Sequence, residues 1–455
     1  MLVVLLAKVP AQDSGVPELL PIAARLRGLP PPTELRTRIV DEASPAETPP
    51  SDDPIEAESA ALHTRLKIAL GLSADDASPG RSEPIDHAMR SGQVAGFYDP
   101  ESRTLTLVRP TVAVSAPPLL ERSLLDWLGP PFIDDERSTL VHEIGHALQH
   151  ARAPDLFGED AAMTTDLDLA VRTLLEGDAV LLEAAFALER AGASPSYAFE
   201  PFFASALAAT FDPERMPSPG DPDAGPFEQA CFDFPYFSGP GFAARLGAGG
   251  REFAGVTSAL LDPPLSTEQI LHPEKYRGPR RDDPTELALP DLRDLFLPGG
   301  LPAIEDVLGE FGWSVLLEGR SAGARVADGR RRLARAAAAG WDGDACMLYV
   351  GQGRQDGLVV LSTWDTPADA AEFARALALR ISEQRPVAAA KSPVMNALPG
   401  EFVPILRSVG SDLLEGVYAT KKDVVWIRGF PVGSEPSLLL RLSREVERRV
   451  RTKLR

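Results

Sequence analysis

The chain has 455 residues, of which 44% are apolar and 25% charged, with a formal net charge of -20. This length exceeds what one hydrophobic core usually serves, so we expect two domains with linkers, and the composition excludes a disordered chain. Binding of nucleic acids depends on basic residues that neutralise phosphates, so the acidic balance excludes DNA and RNA as main ligands and is interpreted as a solubility device.

The chain begins with a short apolar run from Met1 to Ala7, followed by small residues that suit signal-peptidase cleavage after Ala11. This pattern predicts export to the periplasm, the medium or the cell surface. No basic residue precedes the run, so the alternative for residues 1–16 is a disordered or strand-forming terminus, with a cytoplasmic location. Elsewhere no apolar stretch reaches 18 residues, so we expect no transmembrane helix in the mature chain.

Helices and short strands alternate in the first part of the chain. Helical periodicity predicts helices over 17–27, 55–72, 134–151 and 167–190, the last entered from Thr164, and β-type patterns predict strands over 33–41 and within 93–108. A turn at 99–102 joins the two strands of the second stretch. Proline-rich stretches around 282–302 predict the end of a first domain that covers residues 17–300.

The rest of the chain has a different pattern. We expect a helical linker over 301–340 and then a domain of order ββαββα over 341–455. Its predicted elements are a hairpin of 346–350 with 358–363, a helix over 367–380, a hairpin of 414–419 with 424–428, and a basic helix after Pro436. The fold class predicted for the whole chain is α+β.

Two residue sets in this second domain are expected to be structural. Trp341, Trp364 and Trp426 are predicted core residues. Asp342 and Asp344 fit a turn before a strand, with a bound cation as the alternative. We assign the domain no chemistry from its sequence.

The strongest motif is His142-Glu143-Ile144-Gly145-His146, an HExxH pattern on a predicted helix. Spacing of four residues places both imidazoles on one face of the helix, where both can reach one zinc ion at roughly 2.0 to 2.1 Å. Glu143 lies about 100° around the helix and can reach a water on the metal without being a ligand. Ordinary helix histidines are the alternative.

A tetrahedral zinc site with an open position needs a third protein ligand. His150 lies about 12 Å of helix rise from His142, too far to share one ion, and is expected to be a solvated histidine at the helix C-terminus. The third histidine of the metzincin arrangement would fall on Arg152, which excludes that subclass.

Glu176 is the remaining candidate for the third ligand. It lies among Ala, Val and Leu in the middle of the next predicted helix, where a carboxylate is costly unless it is paired or bound to a metal. Gly177 weakens that helix, which a close approach to the first helix would explain. The alternative is a surface glutamate beside an equally solvated Asp178. Glu183, two turns on, could orient a ligand histidine.

The two cysteines, Cys231 and Cys346, fall in different predicted domains. They form no metal-binding spacing, and a disulfide between them cannot be inferred. The metal must therefore be held by histidine and carboxylate.

These residues resemble the gluzincin group of zinc peptidases, in which an HExxH helix is paired with a downstream helix that supplies a glutamate ligand. More narrowly, the chain is similar, from about residue 17 onward, to largely uncharacterised exported bacterial and archaeal proteins of that kind. The motifs that carry the similarity are Gly96-Phe97-Tyr98-Asp99, His142-Glu143 through His146-Ala147-Leu148-Gln149, Glu176-Gly177-Asp178-Ala179, Ser266-Thr267-Glu268-Gln269-Ile270-Leu271-His272-Pro273-Glu274-Lys275-Tyr276, and Gly340-Trp341-Asp342-Gly343-Asp344. His150 departs from it, since an acidic residue is expected there.

The resemblance implies a zincin-like N-terminal catalytic domain with a small sheet, an active-site helix and a glutamate helix. By similarity, the strand that ends near Val108 is the edge that binds an extended peptide. His272 and Tyr276 are candidates to donate a hydrogen bond to the oxyanion, since related folds use His or Tyr for this. A polar loop over 266–276 that caps the cleft is the alternative.

The prediction is thus a peptidase with one zinc ion, Zn²⁺, held by His142, His146 and Glu176, that hydrolyses peptide bonds with Glu143 as general base on a metal-activated water. The expected partner is a peptide or protein substrate, and the sequence carries no signal for an oligomeric state. Two alternatives stay open: an inactive zinc-binding scaffold or adhesion protein, and a zinc hydrolase of a non-peptide amide.

Overall fold

The computed structural model describes residues 15–41, 54–73, 96–109, 136–158, 163–210, 225–296, 302–319, 324–351, 355–384, 402–410 and 412–452. The protein is an α+β protein, as the sequence predicted. The predicted signal peptide, with its cleavage site after Ala11, lies outside the described residues.

Helices dominate the first part of the chain. They are α1 Val16–Arg27, α2 Pro54–Leu70, α3 Glu136–Arg152, α4 Thr165–Arg190, α5 Pro201–Thr210, α6 Pro226–Gly247, α7 Glu252–Leu261, α8 Thr267–Leu271, α9 Pro273–Tyr276 and α10 Arg293–Phe296. The strands of this part are β1 Arg36–Asp41, β2 Gly96–Asp99, β3 Thr104–Arg109 and β4 Thr285–Ala288. The predicted helices and strands therefore recur within a few residues of their expected bounds.

Helix α4 runs through the middle of the first hydrophobic core. It begins at Thr165, within the predicted entry of Thr164, Thr165 and Asp166, and the side-chain oxygen of Thr164 caps it by accepting a hydrogen bond from the backbone N–H of Leu167 at 3.4 Å. Nearly every residue of α4 up to Leu188 is buried, because α1, α3, α6 and α7 pack around it. A helix that is apolar on all sides is typical of a core element, so a polar side chain on α4 needs a specific partner.

The small sheet beside α3 has the strand order β1-β3-β2. Strand β1 pairs with β3 in parallel, and β2 pairs with β3 antiparallel. The prediction that the strand ending near Val108 is an open edge is wrong, because β3 has a neighbour on both sides. Among the described strands of this sheet, β2 is the edge nearest to α3.

The second part of the chain forms a six-stranded sheet of order β5-β6-β7-β10-β9-β8. Its elements are β5 Pro302–Asp306, α11 Gly309–Glu318, α12 Ala324–Ala338, β6 Trp341–Tyr349, β7 Gly357–Trp364, α13 Pro367–Gln384, β8 Val403–Val409, β9 Leu413–Ala419, β10 Asp423–Pro431, α14 Glu435–Arg444 and β11 Glu447–Val450. Every neighbouring pair in it is antiparallel. Both predicted hairpins are present, β6 with β7 and β9 with β10.

The predicted ββαββα order misses three strands. The segment 301–340 is more than a helical linker, because β5 pairs with β6 and α11 packs against the buried tryptophans. Strand β8 is an edge strand that pairs with β9 of the second hairpin. Its residues are partly exposed and include Pro404, so its sequence lacks the apolar pattern of a buried strand. The basic C-terminal helix ends at Arg444, and β11 follows and pairs with β4 of the first part.

The second part buries the three tryptophans as predicted, with Trp341, Trp364 and Trp426 at most 1% exposed. Asp342 and Asp344 lie inside β6 and not in a turn before it, so that interpretation is wrong. Asp344 accepts hydrogen bonds from the backbone N–H groups of Leu308 and Gly309, each at 3.0 Å. It satisfies the N-terminus of α11, so its burial needs no cation.

Two more aspartates accept hydrogen bonds at helix N-termini, and one of them, Asp306, joins the second part of the chain to the first. Asp306 accepts from the backbone N–H of Thr165 at 2.8 Å at the start of α4. Asp166 accepts from the backbone N–H of Thr267 at 2.9 Å at the start of α8. Helix N-termini carry unpaired N–H groups, so Asp306 holds the second part of the chain to the start of α4.

Both cysteines are free thiols. In the part of the chain that the structure describes, no helix combines the length and the apolarity that crossing a bilayer requires.

Candidate metal centre

Glycines set the spacing of the helices around the centre. Gly145 in α3 faces α4, with the Cα atom of Ala179 at 3.7 Å from the position that a Cβ on Gly145 would take. Gly177 in α4 faces α6, where a Cβ would lie 2.2 Å from the carbonyl oxygen of Gly239. The expected contact of Gly177 with the first helix is therefore wrong. Gly145 makes that contact, while Gly177 permits a backbone approach on the other side of α4.

His142 and His146 on α3 meet Glu176 on α4 at one point inside the protein. The two Nε2 atoms are 3.2 Å apart, and Oε2 of Glu176 lies 3.3 Å from Nε2 of His142 and 3.5 Å from Nε2 of His146. Ligands at 2.0 to 2.1 Å from a tetrahedral ion are about 3.3 to 3.4 Å apart. The three atoms therefore form a face of the right size for one zinc ion. The sequence predicted this convergence.

The electrostatics of the three groups fit a cation at their centre. Burial lowers the pKa of His142, but its contacts with Glu176 and Glu183 outweigh this and raise the pKa to about 9. Burial raises the pKa of Glu176, yet the charges and hydrogen bonds of His146 and His142 hold it well below its ordinary value. Oε2 of Glu176 is buried and has no well-formed hydrogen bond. A bound dication would satisfy this oxygen and both ring nitrogens.

Glu143 lies beside this centre, fully buried. Among the described residues neither of its carboxylate oxygens has a well-formed hydrogen bond, although a contact with the backbone of Tyr98 acts to lower its pKa. Burial raises its pKa to about 8, which the charge of His142 partly opposes. Strand β2 passes close to it, since a Cβ on Gly96 would lie 3.6 Å from Cγ of Glu143. A buried carboxylate without a strong partner in the described part of the chain is the chemical type of a general base.

Further polar residues surround the ligands. Oε2 of Glu183 lies 3.5 Å from Nδ1 of His142, on the side of the ring away from Glu176. Oε1 of Gln149 lies 2.9 Å from Nδ1 of His146. Asp178 is not the solvated neighbour of the alternative reading, because it is fully buried and forms an ion pair of 2.7 Å with Arg27 of α1.

Sequence reasoning missed Gln149 and Arg27 and gave Asp178 no role. Gln149 could have been found, since it follows His146 by three residues on the same helix face. Arg27 could not, because only the packing of α1 against α4 and α7 brings it to Asp178 from 151 positions away.

His150 is not the solvated, dipole-bound histidine that the sequence predicted. The phenol of Tyr98 on β2 lies 2.8 Å from its Nδ1 atom, and Phe157 packs against its ring. Burial lowers its pKa, and the charge of Arg103 lowers it further. This favours a neutral ring that ties β2 to the end of α3.

The two predicted oxyanion donors are occupied elsewhere. Nε2 of His272 lies 2.9 Å from Oε1 of Glu310 on α11. Tyr276 is fully buried, and its hydroxyl donates to the backbone oxygen of Asp262. The segment is anchored at Asp166, ten residues before Glu176 and thus about 15 Å along α4. The structure therefore does not bring these residues to the metal ligands.

Residues 266–270 form a buried junction and not a polar loop over a cleft, whereas Leu271 and Glu274 are exposed. Residues Ser266 to Gln269 are at most 1% exposed, because their side chains bind helix ends and neighbouring loops. A second group of acids lies here: Glu268, Asp282 and Asp365. The ammonium group of Lys275 lies between them at 2.6, 3.0 and 2.6 Å. The lysine supplies the cation that this group needs.

Comparison with known proteins adds one family. A model described as a domain of unknown function (DUF8575) matches residues 300–403, from the start of the six-stranded sheet to the first residue of β8. No curated protein matches the chain, and no solved structure does. The matched segment lies outside α3 and α4, which carry the candidate metal ligands.

Proposed function

We propose that the protein is a zinc-dependent peptidase with a zincin-like catalytic part, in which His142, His146 and Glu176 hold one zinc ion. The observation that carries the proposal is the triangle of ligand atoms, with sides of 3.2, 3.3 and 3.5 Å, beside a buried Glu143 that has no well-formed hydrogen bond to a described residue. A structural zinc site has four protein ligands and needs no base, whereas three ligands leave a position open for water.

Glu143 would act on the water that attacks the peptide carbonyl. Zinc, when bound, supplies a Lewis acid that polarises the carbonyl and makes water easier to deprotonate. Glu143 takes a proton from the attacking water and passes it to the nitrogen of the leaving amine. The buried surroundings of Glu143 raise its affinity for a proton, which supports the first of these transfers.

The substrate would lie along β2. This strand is the described edge of its sheet next to Glu143, and an extended peptide can add to such an edge by backbone hydrogen bonds. Tyr98 and His150 stiffen the strand at the other end of α3. Export to the periplasm, the medium or the cell surface stays a prediction from the first eleven residues.

The test uses the full chain. We expect about one zinc per chain by elemental analysis, and cleavage of casein and a peptide library that Glu143→Gln abolishes while zinc content is kept. Glu189→Gln, on the surface of α4, is the control and should cleave normally. Cleavage that survives Glu143→Gln contradicts the mechanism. Zinc without any cleavage by the wild type favours a scaffold, and cleavage of other amides alone favours a non-peptide substrate.

A further inference from the structure

The amide of Gln149 can adopt only one orientation. Its Nε2 atom donates to the backbone oxygen of Leu175 and to Oδ2 of Asp178, each at 2.9 Å. A carbonyl and a carboxylate accept hydrogen bonds and donate none. The nitrogen of the amide must therefore face them, and its oxygen must face His146.

This orientation determines where His146 carries its proton. Oε1 of Gln149 accepts a hydrogen bond, so the Nδ1 atom 2.9 Å away must donate one. A neutral imidazole with a proton on Nδ1 has its lone pair on Nε2. Nε2 is the atom that points to Glu176 and His142. The amide thus prepares the ring for a metal without touching the metal.

Arg27 lies one contact further from His146 than Asp178, which accepts a hydrogen bond from Gln149. It forms a 2.7 Å ion pair with Asp178, and both side chains are 1% exposed. Its Nη1 atom donates to the hydroxyl of Thr257 on α7 at 2.8 Å, which fixes the guanidinium between helices. A guanidinium only donates hydrogen bonds, so it faces the carboxylate oxygens of Asp178 as acceptors, and a buried carboxylate without this partner would be costly.

We infer that Arg27, Asp178 and Gln149 form a relay of positioning residues that selects the metal-binding tautomer of His146, so that helix α1 is part of the metal centre. The inference rests on the proposed zinc site. It also gives a role to Gln149 and Asp178, which lie in the two sequence motifs of the centre but are not ligands.

The first experiment measures the zinc dissociation constant by competition with a chromophoric chelator. Gln149→Leu should bind zinc about 10- to 100-fold more weakly, as is typical for loss of a residue that orients a ligand. Gln269→Leu is the matched control, an equally buried glutamine that bonds Leu265, Asp282 and Asp283 away from the centre. It should lower the melting temperature and leave the zinc affinity unchanged. Equal affinities for wild type and Gln149→Leu overturn the relay.

The second experiment tests the reach of the relay. Arg27→Met should weaken zinc binding, whereas Arg25→Met, on the same helix and with the same change in charge, removes an exposed ion pair with Glu189 and should not. An equal effect of the two variants contradicts a role for Arg27.

The third experiment needs no variant and so does not depend on folding of a mutant. In zinc-loaded protein with ¹⁵N-labelled histidine, His146 should show a slowly exchanging proton on Nδ1 and a metal-shifted Nε2. Coordination through Nδ1 would overturn the inference while leaving the zinc site intact. Absence of zinc from the wild type would instead refute the proposed function, so the two failures are distinguishable.

Discussion

Gly177 and Gly239 meet backbone to backbone where α4 crosses α6, one residue from the proposed ligand Glu176. A Cβ on Gly239 would lie 2.6 Å from the carbonyl oxygen of Thr173 and 2.8 Å from Cα of Gly177. Backbone atoms cannot move aside as the end of a flexible side chain can. The close packing of α4 against α6 therefore requires glycine at both positions, and the position of Glu176 depends on this packing.

We expect Gly239→Ala to lower the free energy of unfolding by about 1 to 3 kcal/mol, the usual cost of overpacking. Gly241→Ala, in the same helix, is the control, because nothing lies within 4 Å of its added Cβ. It should be neutral or stabilise the helix by up to about 1 kcal/mol. Urea unfolding of both variants is the measurement. An unchanged midpoint for Gly239→Ala would show that the helices separate freely here.

Glu176→Gln should lose most of the zinc affinity, because an amide replaces the one anionic ligand. Glu183→Gln should lose less, because Glu183 contacts Nδ1 of His142 at 3.5 Å and not the ion position. Chelator competition measures both. If Glu183→Gln lost more zinc affinity than Glu176→Gln, Glu183 and not Glu176 would be the metal ligand on α4.

Zinc itself should stabilise the fold. Binding to the folded state alone adds about 2.7 kcal/mol at a free zinc concentration of 100 times the dissociation constant. We therefore expect a chelator to lower the melting temperature of the wild type and zinc to restore it. Glu176→Gln should show little response to either, and a full response in that variant would argue for a metal site elsewhere.

The pKa of the buried Asp166 should make the free energy of unfolding depend on pH. Burial raises its pKa from 3.8 to about 7, against the opposing hydrogen bonds from Thr267. A carboxyl group whose pKa is higher in the folded state contributes fully to the free energy of unfolding at a pH below its pKa in the unfolded chain. That contribution is lost as the pH rises through its pKa in the folded state. Its contribution, on the order of a few kcal/mol, should therefore fall between about pH 4 and pH 7.

The variant that tests this is Asp166→Asn. Both bonds from Thr267 reach Oδ1, which an asparagine oxygen can replace, so the variant removes the charge and keeps the contacts. We expect a smaller loss of stability between pH 4 and pH 7 than in the wild type, measured by urea unfolding at each pH. Asp168→Asn, partly exposed on the same helix, is the control. Parallel pH profiles for wild type and Asp166→Asn would contradict the assignment.

Lys275→Met should destabilise the protein by about 3 to 5 kcal/mol, because it leaves a buried Glu268 without its cation. Adding Glu268→Gln to it should recover part of the loss, since the charge that needed the lysine is then gone. Thermal unfolding of the single and double variants measures this. If the two substitutions lowered the stability of the double variant by the sum of their separate effects, Lys275 and Glu268 would not interact.

The sequence predicted the local parts of the site. His142 and His146 share a helix, so their spacing alone fixes their convergence, and the apolar surroundings of Glu176 indicated a bound carboxylate. What it could not predict are contacts made between distant segments. Arg27 reaches Asp178 only through helix packing, and His272 is drawn to Glu310 by a helix of the second part.

The same distinction holds for the fold. Strong periodicity predicted α3, α4 and both hairpins of the large sheet. Strand β5 lay within a predicted linker, and β8 is an edge strand that buries too little to show an alternating pattern. The predicted edge of the small sheet was wrong for another reason, because β1 covers β3 through a pairing of residues more than 60 positions apart.

The pairing of β11 with β4 links the second part of the chain to the part that carries the candidate metal ligands. Arg451, just beyond β11, donates to the backbone oxygen of Pro284 and binds Glu286. Strand β11 and Arg451 thus hold the second part of the chain to the first through backbone and side-chain hydrogen bonds. Removal of β11 would expose an edge of β4, so the stability of the part that carries the candidate metal ligands is expected to depend on the second part of the chain.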